Sequence, residues 1–141
     1  ESNPYPWGGP YVRNAQGCFL ANFKPLRGVY ADDGGFHTVP VSSYNPNGYG
    51  LYCMSGNVAE WTATHYDPST YTFMHDLNSD YKVNAKKTDP ITKQRKVVRG
   101  GSWKDVAYYL QCGSRDYEFQ DTTKSYVGFR CVTTSLPRKR R

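Results

Sequence analysis

The chain has 141 residues, enough for one domain with one hydrophobic core and marginal for two. Gly and Pro together number 22, and the 22 aromatic residues include 13 Tyr, which excludes an architecture of long amphipathic helices. The formal charge of +6 is not spread over the chain: Lys82, Lys86, Lys87, Lys93, Arg95 and Lys96 crowd one segment with only Asp89 opposing them, and Arg138, Lys139, Arg140 and Arg141 end the chain. The remaining body is mildly acidic. No recognition helix or pair of aromatic strands carries the charge, so a nucleic-acid module is disfavoured.

No run of 18 apolar residues is present, so no helical membrane span is expected. The chain opens at Glu1 with no signal or lipid-attachment segment, which suggests a processed or truncated product. Cys18, Cys53, Cys112 and Cys131 form no Cys-x-x-Cys pair, a poor basis for structural zinc. Their pairing cannot be derived from spacing, and buried free thiols compete with disulfides.

Taken in chain order, Tyr5-Pro6-Trp7-Gly8-Gly9-Pro10 reads as a turn that lays two rings against the body. Asn22 to Gly35 is polar and turn-forming. Thr38 to Val41 reads as extended, and Tyr44 to Gly50 reverses the chain. Leu51, Met54, Val58 and Trp61 follow at helical spacing, predicting one short helix or a pair of tight turns interrupted at Gly56-Asn57. Residues 66 to 96 read as a long basic excursion, with local pairing or packing near Thr72 to Met74. Strands are expected at Lys96 to Arg99, Tyr108 to Cys112 and Val127 to Val132, with the polar Asp116 to Ser125 segment as a connection. The division is a domain over 1–132 and a basic tail over 133–141.

Seven pieces occur in a fixed order: Tyr5-Pro6-Trp7-Gly8, Ala21-Asn22, Pro40-Val41, Asn47-Gly48-Tyr49-Gly50-Leu51-Tyr52, Gly56-Asn57-Val58-Ala59-Glu60-Trp61, Val98-Arg99-Gly100-Gly101-Ser102-Trp103 and Gly128-Phe129-Arg130-Cys131-Val132. Together they resemble the formylglycine-generating, sulfatase-modifying family from residue 5 to 132. The resemblance implies an α+β fold of C-type-lectin-like kind, loop-rich and low in regular secondary structure, of which this chain supplies the C-terminal part. It marks Trp61, Arg99, Trp103, Cys112, Arg130 and Cys131 as structural residues.

The resemblance also implies calcium. One ion would take the Asn22 side chain, the Phe23 carbonyl, the Asp33 side chain and a backbone oxygen at Gly35, an all-oxygen set that suits a hard cation. Composition alone reads the same residues as an Asx turn and an acidic surface loop. A second site would use Gly56, Val58 and Glu60, but Cys53 stands where Asn or Asp is expected, and sulfur is a poor calcium donor. That site is weakened, and Glu60 is expected instead to anchor the turn through backbone N–H groups.

Catalytic relatives use a redox-active cysteine pair whose first member lies three residues after the Ser of Gly-Gly-Ser. Here that position is Asp105, and Val106 to Leu110 contains no thiol. A carboxylate cannot form a disulfide or act as a soft thiolate ligand. No redox cofactor is therefore expected, and Asp105 beside Lys104 reads as a local ion pair. The resulting expectation is a non-catalytic interaction subunit.

Tyr44-Asn45-Pro46-Asn47, the Gly56 to Trp61 motif and Phe73-Met74-His75-Asp76-Leu77-Asn78 are similar to the ring lipoproteins of the gliding-motility and type IX secretion machinery. That likeness implies protein partners in an oligomeric periplasmic ring on the outer membrane, with any lipid anchor outside this chain. The basic segment from Lys82 to Lys96 would meet an acidic partner face; a solvated charge run is the plain alternative. Two other functions are open: a metal-dependent oxidase using His37, His65 or His75, and a glycan-binding module presenting Tyr49, Trp61, Trp103 or Tyr109.

Overall fold

The computed structural model describes residues 3–73 and 81–133. The expected features on Met74 to Asn78, His75 among them, and the Arg138 to Arg141 tail lie outside these residues.

A four-stranded mixed sheet forms the frame. Its strands are β1 (Ala59–His65), β2 (Arg95–Arg99), β3 (Asp116–Phe119) and β4 (Val127–Gly128), in the order β3-β2-β1-β4. β1 and β2 are antiparallel, with Glu60 opposite Arg99 and Trp61 opposite Val98, and the register shifts before His65 meets Lys96. β2 and β3 are antiparallel, whereas β4 runs parallel to β1. The consecutive β-branched residues Val97 and Val98 are both buried, which marks β2 as an inner strand covered on both faces.

The principal hydrophobic cluster is built by loops. Tyr5, Ala21, Phe23 and Leu110 are buried together, with Trp7, Val12, Phe19 and Ala107 packed around them. The N-terminal turn does lay its rings on the body: Tyr5 and Trp7 stack at 4.9 Å and 7°. Gly8 N–H closes the turn onto the Tyr5 carbonyl at 3.1 Å. Phe19 meets Phe23 edge to face at 5.3 Å.

Several local expectations are corrected. Residues 51–58 form bends rather than a helix, and Trp61 lies half-buried inside β1. Cys53 and Asn57 adopt left-handed backbone at φ 48° and 69°, incompatible with a continuous helix. The strand expected at Tyr108 to Cys112 is a 3-10 turn over Ala107–Leu110, which drives Leu110 into the core. The strand expected over Val127 to Val132 is paired only at Val127–Gly128, while the supposed connection from Asp116 to Ser125 contains β3. Val41, expected extended, opens a 3-10 turn at Val41–Ser43.

The long excursion also carries structure. It holds the short helix α1 (Thr70–Phe73) and a 3-10 turn at Ile91–Gln94, which leads directly into β2. Asp67 caps the approach to α1 by accepting Ser69 N–H and O–H at 2.9 and 2.6 Å. Gln94 donates its amide to the Lys87 and Asp89 carbonyls, at 3.3 and 2.8 Å, and so closes the basic loop on itself.

Candidate functional site

Three segments converge at one end of the sheet: Ala21 to Lys24, Cys53 to Val58 and Gly100 to Asp105. Gly56 N–H donates to the Gly100 carbonyl and Asn57 N–H to the Asn22 carbonyl, both at 2.8 Å, while Trp103 N–H reaches the Asn57 carbonyl at 3.0 Å. The segments touch because Gly56 has no side chain: a Cβ there would sit 2.5 Å from the Asn22 carbonyl oxygen, on backbone at φ +79°. Gly101 plays the same part against the 3-10 turn, where a Cβ would meet Tyr109 backbone at 3.0 Å.

The first proposed metal set is brought together. Asp33 accepts Phe23 N–H at 2.6 Å and Gly35 N–H at 3.3 Å. Asn22 donates its amide to the His37 carbonyl at 2.7 Å, and its Oδ1 is buried with no hydrogen-bond partner. Gly35 lies against the same amide, since a Cβ there would be 3.2 Å from Asn22 Nδ2. Burial raises the Asp33 carboxyl above its ordinary range despite the two backbone N–H bonds that lower it. An amide oxygen orphaned among the described residues, beside a buried carboxylate with no cationic partner among them, is what a hard divalent ion would satisfy, so these residues fit calcium.

The second set does not fit. Glu60 is held by Arg130 rather than by backbone N–H groups: Arg130 Nε lies 3.1 Å from each carboxylate oxygen and Nη2 lies 2.9 Å from Oε1. Nη2 also reaches the Tyr52 carbonyl at 2.9 Å, tying the chain after β4 to the bend before β1. This hydrogen bonding with Glu60 raises the Arg130 pKa further. Cys53 points its sulfur to the Val41 carbonyl at 3.2 Å, and burial pushes its thiol pKa up, away from the thiolate a soft metal would need.

Asp105 is more than the partner of Lys104. Its Oδ2 accepts both the N–H and the O–H of fully buried Ser102, at 3.0 and 2.6 Å, and its own N–H returns to the Ser102 carbonyl at 3.0 Å. The Lys104 ammonium lies 3.7 Å from Oδ1 and also 3.7 Å from the centre of the Tyr126 ring. Asp105 thus closes the turn after Gly-Gly-Ser as a structural bracket. All four cysteines are free thiols; Cys18, Cys112 and Cys131 are exposed.

Asn57 and Tyr44 stand in the sequence only as members of motifs, with no role of their own, and Ser55 carries no sequence signal. Asn57 Oδ1 accepts Val39 N–H at 2.9 Å while its Nδ2 donates to the Val39 carbonyl at 3.1 Å, a two-point clamp. Ser55 donates to the Leu110 carbonyl at 2.7 Å and Tyr44 to the Asp33 carbonyl at 2.6 Å. The left-handed backbone at Asn57 fits a residue type that tolerates it, but its clamp on Val39 has no sequence signal.

Other candidates disperse. Arg95 stacks 4.5 Å over the Tyr117 ring of β3, and Lys96 donates to the Val83 carbonyl at 2.7 Å, so both are half-buried and engaged within the fold. Lys82, Lys86, Lys87 and Lys93 are exposed. His65 is buried in β1 with Nδ1 3.0 Å from the Arg95 carbonyl, a structural place rather than an open loop. Among the described residues, no group of three or more His, Cys, Asp or Glu side chains could hold a metal. Arg99 binds the Cys112 carbonyl through Nη2, fixing the segment that follows the 3-10 turn.

Comparison with known proteins accords with this arrangement. The model of the sulfatase-modifying factor enzyme 1-like domain matches residues 1–135. The chain belongs to the sulfatase-modifying factor family. It is 32% identical over 143 aligned residues to the mouse formylglycine-generating enzyme, covering 97% of this chain and 36% of that protein. It is 29% identical to the mouse inactive C-alpha-formylglycine-generating enzyme 2, over 93% of this chain and 37% of that one. The family member thus spans little more than a third of the length of these curated relatives, which include proteins named as active and as inactive. Among solved structures it is similar to PvdO from Pseudomonas aeruginosa, with a TM-score of 0.65 and 25% identity over 86% of this chain and 43% of that one. The expected fold of this family, loop-rich and low in regular secondary structure, is the one observed, built on a mixed sheet with few helices.

Proposed function

We propose that this family member is a non-catalytic structural subunit of a bacterial cell-envelope assembly, in which the enzyme fold serves as a surface for protein partners. The observation that carries the reading is the Asp105 bracket. The position where thiol chemistry needs a nucleophilic, oxidisable sulfur holds a carboxylate whose Oδ2 is engaged by Ser102. The likeness to a mouse relative named as inactive supports the same conclusion.

The finer reading is a ring subunit of the type IX secretion or gliding machinery, facing the periplasm at the outer membrane and bound to a ring partner. It rests on the sequence likeness in the Tyr44 to Asn47 and Gly56 to Trp61 pieces. The exposed ammonium groups of Lys86, Lys87 and Lys93, carried on a loop closed by Gln94, would meet an acidic partner face and speed encounter. Calcium at Asn22, Phe23, Asp33 and Gly35 would hold the loop before Val39 in place.

The test has two arms. A cysteine-bearing peptide incubated with the full chain, with and without copper, should yield no formylglycine; its formation would overturn the non-catalytic reading. Affinity capture from envelope extracts should recover a defined complex at low salt that the triple reversal Lys86→Glu, Lys87→Glu, Lys93→Glu abolishes. Equal recovery with the folded triple variant would remove the basic loop from the interface.

A further inference from the structure

A trough of about 210 Å³ lies between the Lys24 to Phe36 loop and the turn after Gly-Gly-Ser, lined by Lys24, Tyr30, Phe36, Trp103 and Lys104. Its two walls are tied directly, because Lys24 N–H donates to the Asp105 carbonyl at 2.9 Å. A ladder of rings fixes the floor: Phe36 meets His37 edge to face at 4.8 Å, and His37 meets Trp103 the same way at 4.7 Å. Phe36 is nevertheless 58% exposed and Tyr30 40%, so ring surface held in place by neighbours faces water. The Lys24 ammonium sits 5.0 Å from the Tyr30 ring centre and so beside the trough, whereas the Lys104 ammonium is engaged by the Tyr126 ring and the Asp105 carboxylate, 3.7 Å from each.

The chemistry of the wall selects its occupant. The residues lining it are three aromatics and two lysines, with no acidic residue among them, and of the two ammoniums only that of Lys24 is placed over a ring of the trough. A neutral sugar would bury several hydroxyls that need acceptors as well as donors, and the wall is poor in acceptors. A flat ring with all its polarity gathered into one anionic group matches both the rings and the Lys24 charge. We propose that this trough is a binding site for a small aromatic carboxylate, whose ring packs against Phe36, Tyr30 and Trp103 while its carboxylate meets Lys24. The site is separate from the basic loop and independent of whether the chain is catalytic.

The test is a titration of the full 15N-labelled chain with phenylacetate, its neutral amide and glucuronate at low ionic strength, followed by amide and indole chemical shifts. The acid should give saturable shifts at Lys24, Phe36, the Trp103 indole and Lys104. It should bind at least about threefold more tightly than the amide, as expected for a charge contact at an exposed site. Lys24→Gln should lose about that factor for the acid and none for the amide, with the rest of the spectrum unchanged. Lys24→Met serves as the second variant should Lys24→Gln disturb the spectrum. Equal binding of acid and amide, tighter binding of glucuronate, or no saturation below about 20 mM acid would each overturn the proposal.

Discussion

Asp105 and Ser102 are joined by a carboxylate oxygen 2.6 Å from the serine hydroxyl and 3.0 Å from its backbone N–H. Ser102 is fully buried, so removing the carboxylate strands two donors. Asp105→Ala should therefore destabilise the fold by about 1–3 kcal/mol in equilibrium urea unfolding. Asp105→Cys should show a similar loss and no gain of thiol oxidation, since no second cysteine lies in Val106 to Leu110.

The Arg130–Glu60 contact makes three hydrogen bonds within 3.1 Å, and the two side chains are 30% and 22% exposed. A double-mutant cycle with Arg130→Ala and Glu60→Gln should give a coupling of about 1 kcal/mol, above that of an ordinary surface pair. Additive single effects would mean that the pair does not stabilise the end of the sheet.

Glycine at 56 is required by close approach, and glycine at 48 is not. Gly56→Ala places a Cβ against the Asn22 carbonyl on left-handed backbone and should cost about 2 kcal/mol or more. At Gly48 nothing lies within 4 Å and φ is not positive, so Gly48→Ala should stay within about 0.5 kcal/mol. Thermal unfolding of both variants at one pH makes the comparison.

Calcium addition to the chelator-treated chain should raise Tm, because an ion bound only by the folded state stabilises it by mass action. Asp33→Asn should erase that shift. Glu60→Gln should leave it in place, since Glu60 is committed to Arg130.

Cys53 should alkylate last among the four cysteines. Burial raises its thiol pKa, so at pH 8 it presents less thiolate than an ordinary thiol, whereas Cys18, Cys112 and Cys131 are exposed. The gap should narrow as pH rises through the raised value, as read by mass spectrometry of a labelling time course.

The sequence by itself determined the family, the loop-rich fold and the missing thiol, because these depend on residue identity in a fixed order: Gly56-Asn57, Gly100-Gly101-Ser102 and Asp105 can be read without coordinates. It also named Asn22, Phe23, Asp33 and Gly35 as one set, and these four lie together because the loop closes on the Asp33 carboxylate through the Phe23 and Gly35 N–H groups. Period and propensity misled at Leu51 to Trp61 and at Tyr108 to Cys112. In both, left-handed backbone or a tight turn is imposed by contacts from distant segments, such as Asn22 on Gly56 and Gly101 on Tyr109. Only the tertiary structure decided who holds whom: Arg130 takes Glu60 across 70 residues, Lys96 and Arg95 turn inward while Lys86, Lys87 and Lys93 stay exposed, and Trp103 meets the loop of Tyr30 and Phe36. The physical reason is the same throughout. A charge or a ring states in sequence what it can bind, but the partner is fixed by which loops the sheet and its glycine contacts bring within a few ångströms.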